Sequence, residues 1–245
     1  MDTAPDLRVL YPDVLSRGSL AAALATAAAE LSLTFPVMSS TAHALDAASI
    51  ASGVEHRNAL RVNARVRERR WSIWGTESFQ DLPLIDGSTD DLAEIARAAH
   101  AWHSGAALEE IRRVAPFVHL TGRFEVPDRD PVRLTASEWE HLRTEARELE
   151  TDWAPAYHAL IEAAYAVPAL RRLYPFTSHW ALRFATSAGR EIADAVGPIV
   201  VTQSTGRYSV RAGIATDESL AEAVSAADAV AAAMCFMPAS IANLV

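Results

Sequence analysis

The sequence contains no lysine, since all 22 of its basic residues are arginine. Schiff-base chemistry, pyridoxal-lysine chemistry and the phosphate loop of P-loop proteins all use a lysine amine, so these classes are excluded. Cysteine is almost absent as well. The single cysteine, Cys235, cannot form an intramolecular disulfide, so we expect a reducing, cytoplasmic compartment and no zinc site built on thiolates.

Several other signals are missing. No apolar run reaches the length of a membrane span, and the chain starts with acidic residues where a secretory signal is basic, so neither secretion nor a membrane is expected. The sequence also lacks a GxSxG elbow, a GxGxxG fingerprint and a glycine-rich phosphate loop. These absences disfavour flavin, nicotinamide and ATP, and no cofactor is predicted.

What the sequence does contain is typical of a globular protein with a sizeable core. The 245 residues are 50% hydrophobic and 22% charged, and 31 acidic residues give a formal net charge of -9. This excess of negative charge repels phosphate backbones, and no aromatic RNA-binding motif accompanies the one basic patch. Nucleic acid is therefore not an expected partner.

The first half of the chain shows alternating strand and helix patterns. Ser19 has the position of an N-cap before an apolar helical repeat over 20–31. Strict alternation predicts a strand over 60–66, and a second strand over 71–75 is close enough to form a hairpin with it. An apolar stripe over 92–102 then predicts a helix that begins at a capping box.

The second half begins with a predicted linker over 125–134, which contains two prolines and several charged residues. Thr135 then predicts the cap of a long amphipathic helix that reaches Trp153, and Pro155 should kink or end it. Alternation predicts further strands over 180–185, 199–203 and 207–213, and Thr216 predicts the cap of a final helix that includes Leu220.

The two halves also share a short pattern. Arg70-Trp71-Ser72-Ile73 followed by Thr89-Asp90-Asp91 is similar to Arg207-Tyr208-Ser209-Val210 followed by Thr216-Asp217-Glu218. This predicts an α+β fold with two related units, each of antiparallel strands covered by a capped helix, over 1–124 and 168–245, joined by a central helical connector over 125–167. Convergence is the alternative, because strands that lead into a capped helix are common.

Several short motifs occur along the chain, namely Tyr11-Pro12-Asp13, Gly18-Ser19-Leu20, Glu68-Arg69-Arg70-Trp71, Thr89-Asp90-Asp91-Leu92, Ala101-Trp102-His103-Ser104-Gly105, Ala115-Pro116-Phe117-Val118 and Leu173-Tyr174-Pro175-Phe176. Together they resemble an actinobacterial family of unknown function whose members are described only as natural product biosynthesis proteins, and the resemblance spans the chain from about Tyr11 to Pro238. The resemblance implies a cytoplasmic protein in a specialised-metabolite pathway. It implies no catalytic residues.

His100 and His103 are three residues apart on a predicted helix, so both rings project from adjacent parts of one surface. They are candidates for an acid/base role or a shared metal ion. The sequence has no HExxH pattern, so no metal site is predicted. The structural alternative is that His103 covers the core at the edge of the apolar stripe.

A dense run of arginines precedes the second strand. Alternation places Arg61 and Arg65 on one sheet face, where their guanidinium groups can grip a carboxylate, a phosphate or an acidic peptide. The favoured interpretation is instead that they pair with acidic residues of the middle helix, namely Glu140, Glu145 and Glu148.

Two further groups of residues are candidates for a substrate site. His179 and Arg183 lie four apart on a predicted strand, so they share a face and can place a base beside an anion clamp. Trp74, Tyr174 and Trp180 can line an apolar pocket, although aromatic residues of this kind usually belong to the core.

Together these patterns favour two functions without deciding between them. One is a cofactor-independent enzyme for a cyclisation, elimination or isomerisation of a peptide or small apolar substrate, with His179 or His100 as acid/base and Arg183 as anion clamp. The other is a non-catalytic protein that binds a precursor peptide or a pathway enzyme through its arginines and exposed aromatic residues.

Overall fold

The computed structural model describes residues 7–178, 180–188, 195–203, 206–213 and 218–242. The chain forms two compact units, Met1–Thr121 and Gly122–Val245. Each unit contains helices and one antiparallel sheet, so the fold is α+β, as the sequence predicts. Among the described helices, none is long and apolar enough to cross a membrane.

The first unit starts with three helices and continues into a six-stranded sheet. Its helices are α1 Leu7–Leu10, α2 Pro12–Arg17, α3 Leu20–Glu30, α4 Leu92–His103 and α5 Leu108–Val114. Its strands are β1 Val37–Ser39, β2 Ala47–Ile50, β3 Leu60–Ala64, β4 Trp71–Thr76, β5 Pro83–Thr89 and β6 Val118–Leu120. The strands pair antiparallel in chain order from β1 to β6, so the sheet is a meander.

Helix caps and alternation explain where these elements lie. The Ser19 hydroxyl accepts a hydrogen bond from the Ala22 amide at 3.0 Å and caps α3 as predicted. The Asp91 carboxylate caps α4 in the same way, through the Ala93 amide at 2.8 Å. Side chains of β3 alternate between buried and exposed, and the buried ones pack with the fully buried Trp71 and Trp102.

The second unit contains five helices and five strands among the described residues. Its helices are α6 Pro131–Glu148, α7 Ala154–Ala166, α8 Pro168–Arg171, α9 Ala226–Cys235 and α10 Ala239–Ala242. Its strands are β7 Tyr174–Ser178, β8 Ala181–Ala185, β9 Ala195–Thr202, β10 Tyr208–Arg211 and β11 Ser219–Ala223. They form a second antiparallel meander, and Trp139, Tyr157 and Phe184 are central to the core beneath it.

Several predicted boundaries differ from the structure. Helix α6 is capped by Asp130 rather than by Thr135, because Pro131 suits a first helical turn and the Asp130 carboxylate accepts from the Arg133 amide. Pro155 lies at the start of α7 for the same reason, instead of ending the previous helix. The segment 125–167, predicted as a connector, contributes α6 and α7 to the core of the second unit.

The last predicted helix is also displaced. Thr216 lies outside the described residues, and Leu220 belongs to strand β11 rather than to a helix. The helix that follows is capped by Ser225, whose hydroxyl accepts from the Asp228 amide at 3.1 Å. The few apolar residues over 219–223 also fit a helical spacing, so the sequence pattern predicts a helix where the structure has a strand.

Candidate functional site

One cavity of the first unit lies between the end of α3 and helices α4 and α5. It has a volume of about 460 Å³, within the usual range of small-molecule sites. Helix α4 contributes Arg97, His100 and Ala101, and its C-cap residue Ser104 continues the same face at a spacing of three and four residues. The remaining lining consists of Glu110 and of the aliphatic side chains of Leu31, Leu33, Ala106 and Val114.

His100, a predicted catalytic residue, is the most unusual group in this cavity. Its ring is half-buried beside Phe35, with 6.2 Å between the two ring centroids. The Nδ1 atom is buried, and no hydrogen-bond partner for it is found in the described part of the chain. A buried polar atom without a partner is costly, so the ring is well placed to bond a molecule that enters the cavity.

The charged residues of the cavity differ in how they are neutralised. Glu110 accepts a hydrogen bond from Arg113 at 2.7 Å, and this bond holds the pKa of the Glu110 carboxyl below its usual value. Arg97, half-buried on α4, has neither a hydrogen bond nor an ion pair within the described ranges. No described residue therefore compensates the positive charge of Arg97, which lies next to aliphatic walls.

The second histidine of α4 has a different role. The Nδ1 atom of His103 lies 2.8 Å from the carbonyl oxygen of Ala51, and the residue does not line the cavity. The segment around Gly53 packs tightly here, since a Cβ atom on Gly53 would lie only 2.2 Å from the carbonyl oxygen of His103. His103 thus fastens α4 to the end of β2, which agrees with the structural alternative.

A row of polar side chains crosses the outer face of the first sheet. Cross-strand pairing places Trp74 directly between Arg61 and Asp86, and Asp86 next to His119. Trp74 is 40% exposed, and the His119 Nδ1 atom lies 3.3 Å from an Asp86 oxygen. The structure thus brings together two predicted substrate-binding residues, Arg61 and Trp74. The pairing of His119 with Asp86 could not be predicted from the sequence, because the patterns predict neither β5 nor β6.

The arginine run pairs locally. Arg61 contacts both oxygens of Asp81, at 2.9 and 3.0 Å. Hydrogen bonds from Thr76, Arg61 and Asn58 hold the pKa of the Asp81 carboxyl below its usual value.

Arg65 lies after β3 rather than in it, and it pairs with Glu68 at 3.1 Å. Both arginines thus have carboxylate partners within their own unit, and their predicted pairing with the middle helix stays a prediction. Two of the three acidic residues of that helix also have local partners: Glu140 pairs with Arg143 and Glu145 with Tyr157.

The predicted residues of the second unit occupy separate places. Arg183 on β8 lies with its guanidinium 4.9 Å from the Phe176 ring centroid, and burial lowers the pKa of this arginine. Tyr174 is buried, with 7% exposure. Trp180 packs with Trp153 and Tyr157 in an aromatic cluster, with centroid distances of 4.9 and 5.5 Å. His179 lies outside the described residues, so its predicted pairing with Arg183 stays a prediction.

Metal ligands do not cluster in the part of the chain that the structure describes, where no group of three or more His, Cys, Asp or Glu side chains could hold an ion.

Comparison with known proteins adds a family match for one unit. Residues 133–245 match the model of a family of unknown function (DUF6193), which is less than half of the chain. The match begins within α6 and covers the rest of the second unit. No curated protein and no solved structure matches the chain.

Proposed function

We propose that the first unit binds a small molecule with an aliphatic body and a carboxylate group in the cavity between α3, α4 and α5. The main support is that this cavity is lined by two groups without partners in the described part of the chain. These are His100, whose buried Nδ1 atom has no hydrogen bond, and Arg97, whose charge has no ion pair. Aliphatic walls favour an apolar chain, because burial of apolar surface contributes about 25 cal/mol per Å².

Arg97 and His100 suit the carboxylate for complementary reasons. A guanidinium group offers several donors in a fixed plane, which matches the two oxygens of a carboxylate. His100 lies three residues further along the same helix, so its ring borders the same end of the cavity. Its Nδ1 atom can donate to a carboxylate oxygen when it carries the proton.

This arrangement supports binding more strongly than catalysis. A general base is normally oriented by a second group that bonds its other side, and within the described ranges the buried Nδ1 atom of His100 has no hydrogen-bond partner. The nearby Glu110 is engaged by Arg113. The acid/base reaction and the role in a specialised-metabolite pathway stay predictions from the sequence.

Isothermal titration of the full chain with octanoate tests the proposal, with 1-octanol as the neutral analogue of the same length. We expect saturable binding of octanoate, and weaker binding of 1-octanol. Arg97→Gln should weaken octanoate binding by about tenfold or more, the scale of a lost charged hydrogen bond, and should leave 1-octanol unaffected.

A matched control is Arg112→Gln, since Arg112 lies on α5, outside the cavity, and pairs with Glu109. This variant should bind octanoate like the unaltered protein. The proposal fails if octanoate does not bind, or if the two variants lose affinity equally, which would indicate a general charge effect.

A further inference from the structure

The second unit contains a larger cavity, of about 630 Å³, between α6, α7, α8 and the residues that follow β8. It is independent of the cavity proposed above, because all of its described lining residues lie in the second unit. Val132 lies at its rim and is 77% exposed, so the cavity opens to solvent there. Its size suits a small organic ligand.

Two aromatic rings line this cavity. Trp139 and Tyr165 pack edge to face, with 5.5 Å between their centroids and 63° between their planes. The Trp139 indole nitrogen already donates to the carbonyl oxygen of Leu173 at 3.2 Å. Trp139 is completely buried, so the partly exposed Tyr165, packed against that indole, supplies the aromatic surface of the cavity, which favours a flat aromatic ligand.

The cationic groups around Tyr165 fall into two kinds. Arg143 lies 4.3 Å from the Tyr165 centroid but is neutralised by Glu162, through bonds of 2.8 and 3.1 Å. Arg171 lies 5.4 Å from the same centroid, and Arg172 lines the cavity beside it. Arg171 and Arg172 are both exposed, and neither has an ion pair within the described ranges, so no described carboxylate compensates these two positive charges at the cavity.

We propose that this cavity binds a flat aromatic molecule that carries a phosphate group. The aromatic body packs against Tyr165, and the phosphate accepts hydrogen bonds from Arg171 and Arg172. Two adjacent guanidinium groups favour a doubly charged phosphate over a single carboxylate, since each can form a two-pronged contact. Stacking on Tyr165 holds Arg171 in place before the ligand arrives, which reduces the entropy cost of binding.

Isothermal titration of the full chain with 1-naphthyl phosphate tests this site. We expect saturable binding, with 1-naphthol and inorganic phosphate each at least about tenfold weaker, because each lacks half of the recognised chemistry. The double substitution Arg171→Gln with Arg172→Gln should weaken 1-naphthyl phosphate by about tenfold or more and should leave 1-naphthol unchanged.

Loss of Arg171 also removes its contact with the Tyr165 ring, so a second variant tests the site without changing this contact. Val132→Asp places a carboxylate at the exposed rim, where it repels the phosphate, and should also weaken binding by about tenfold. Its control is Val224→Asp, at a position of the same unit that is 70% exposed and outside the cavity. The arginine control is the double substitution Arg147→Gln with Arg207→Gln, which removes the same charge elsewhere.

Weaker binding of 1-naphthyl phosphate to both cavity variants, the double arginine variant and Val132→Asp, with unchanged binding to the control variants, supports the site. The proposal is overturned if 1-naphthyl phosphate does not bind, if inorganic phosphate binds equally well, or if the control variants lose as much affinity as the cavity variants.

Discussion

The two units have a similar order of elements but are held together by different polar contacts. In each, helices precede five consecutive antiparallel strands and a capped helix follows the fifth, while the first sheet has a sixth strand, β6. In the first unit the Tyr11 hydroxyl lies within 3.0 Å of backbone atoms of Arg65, Glu68 and Arg70. In the second unit a charged pair, Arg123–Glu138, is almost completely buried.

This difference shows that one arrangement of strands and helices does not require one set of polar contacts. The first unit uses a tyrosine to hold the loop between β3 and β4, together with aspartates that pair with arginines at the surface. The second unit uses a buried ion pair and the indole and phenol groups of its core. Substitutions at these contacts should therefore affect the two units in different ways.

The largest effect is expected for the buried pair. Arg123 and Glu138 are each 8% exposed and form two hydrogen bonds, of 2.7 and 2.8 Å. Glu138→Ala leaves the arginine charge buried, so the free energy of unfolding should fall by about 3–5 kcal/mol. Urea unfolding gives the size of the loss, and hydrogen exchange should assign it to the second unit.

An exposed pair provides the control for this substitution. Arg133 and Asp128 are about half exposed and lie 3.0 Å apart. Arg133→Ala should therefore cost less than about 1 kcal/mol. Similar losses for the two variants would contradict the assignment of the buried pair.

A smaller difference in the free energy of unfolding is expected between the phenylalanine variants of two tyrosines. The Tyr11 hydroxyl is close to three carbonyl groups and also accepts from the Arg70 amide at 3.0 Å, so Tyr11→Phe should cost about 1–3 kcal/mol. The Tyr208 hydroxyl donates to one carbonyl, that of Ala156, at 3.0 Å, so Tyr208→Phe should cost about 0.5–1.5 kcal/mol. Chemical unfolding of both variants checks the order, and a larger loss for Tyr208→Phe would reverse the comparison.

The helix caps should be equivalent in the two units. Asp91→Ala and Ser225→Ala each remove the side chain that caps the helix after the meander, and each should cost about 1 kcal/mol. Asn at position 91 and Thr at position 225 should restore most of the loss. If either alanine variant is as stable as the unaltered protein, that cap does not stabilise its helix.

The smallest expected effect is a difference in acid sensitivity. Hydrogen bonds from Arg69 and from Thr76 keep the pKa values of Asp13 and Asp81, respectively, below normal in the folded first unit. A lowered folded pKa contributes stability that is present above the unfolded pKa and is lost as the pH falls below about 4. Both carboxylates are about a third exposed, so each contribution should stay below about 1 kcal/mol.

Hydrogen exchange between pH 5 and pH 3, corrected for the intrinsic exchange rate, checks this difference. We expect opening of the first unit to become easier on acidification, and Asp81→Asn should reduce the change. Equal pH dependence in Asp81→Asn and in the unaltered protein would contradict the contribution of Asp81.

The second unit should instead be sensitive to alkali. Burial raises the pKa of Tyr157, with a further contribution from Glu145, and burial also raises the pKa of Tyr208. A raised folded pKa contributes stability that is present below the unfolded pKa and is lost as the pH rises above about 10. Tyr157→Phe should reduce the pH dependence of unfolding above pH 10, and an unchanged profile would contradict this.

The sequence predicts strongly periodic elements well. The alternation over β3, the Ser19 cap of α3 and the apolar stripe of α4 are all confirmed. The sequence patterns do not predict β1, β2, β5, β6 or β7. Strands β1 and β6 have only three residues and β2 has four, while β5 contains Pro83 and Gly87 and β7 contains Pro175, which are typical of loops.

The candidate sites are harder to predict from the sequence because they combine residues from separate segments of the chain. His100 was found from its spacing on α4, and the same spacing of three residues would have identified Arg97. The cavity itself depends on Leu31 and Leu33, which follow α3, and on Val114 at the end of α5. The partners of Arg61 and Arg65 depend on turns, where Asp81 adopts a left-handed backbone with φ of 61° that no periodic pattern encodes.

Hydrogen–deuterium exchange with and without octanoate tests the central claim, that the first unit has its own binding site at Arg97 and His100. The account predicts slower exchange in α4 and α5 at saturating octanoate, no change in α6 to α8, and loss of the effect in Arg97→Gln. Protection of α6 to α8 alone, or no protection anywhere at a concentration that saturates binding, would contradict it.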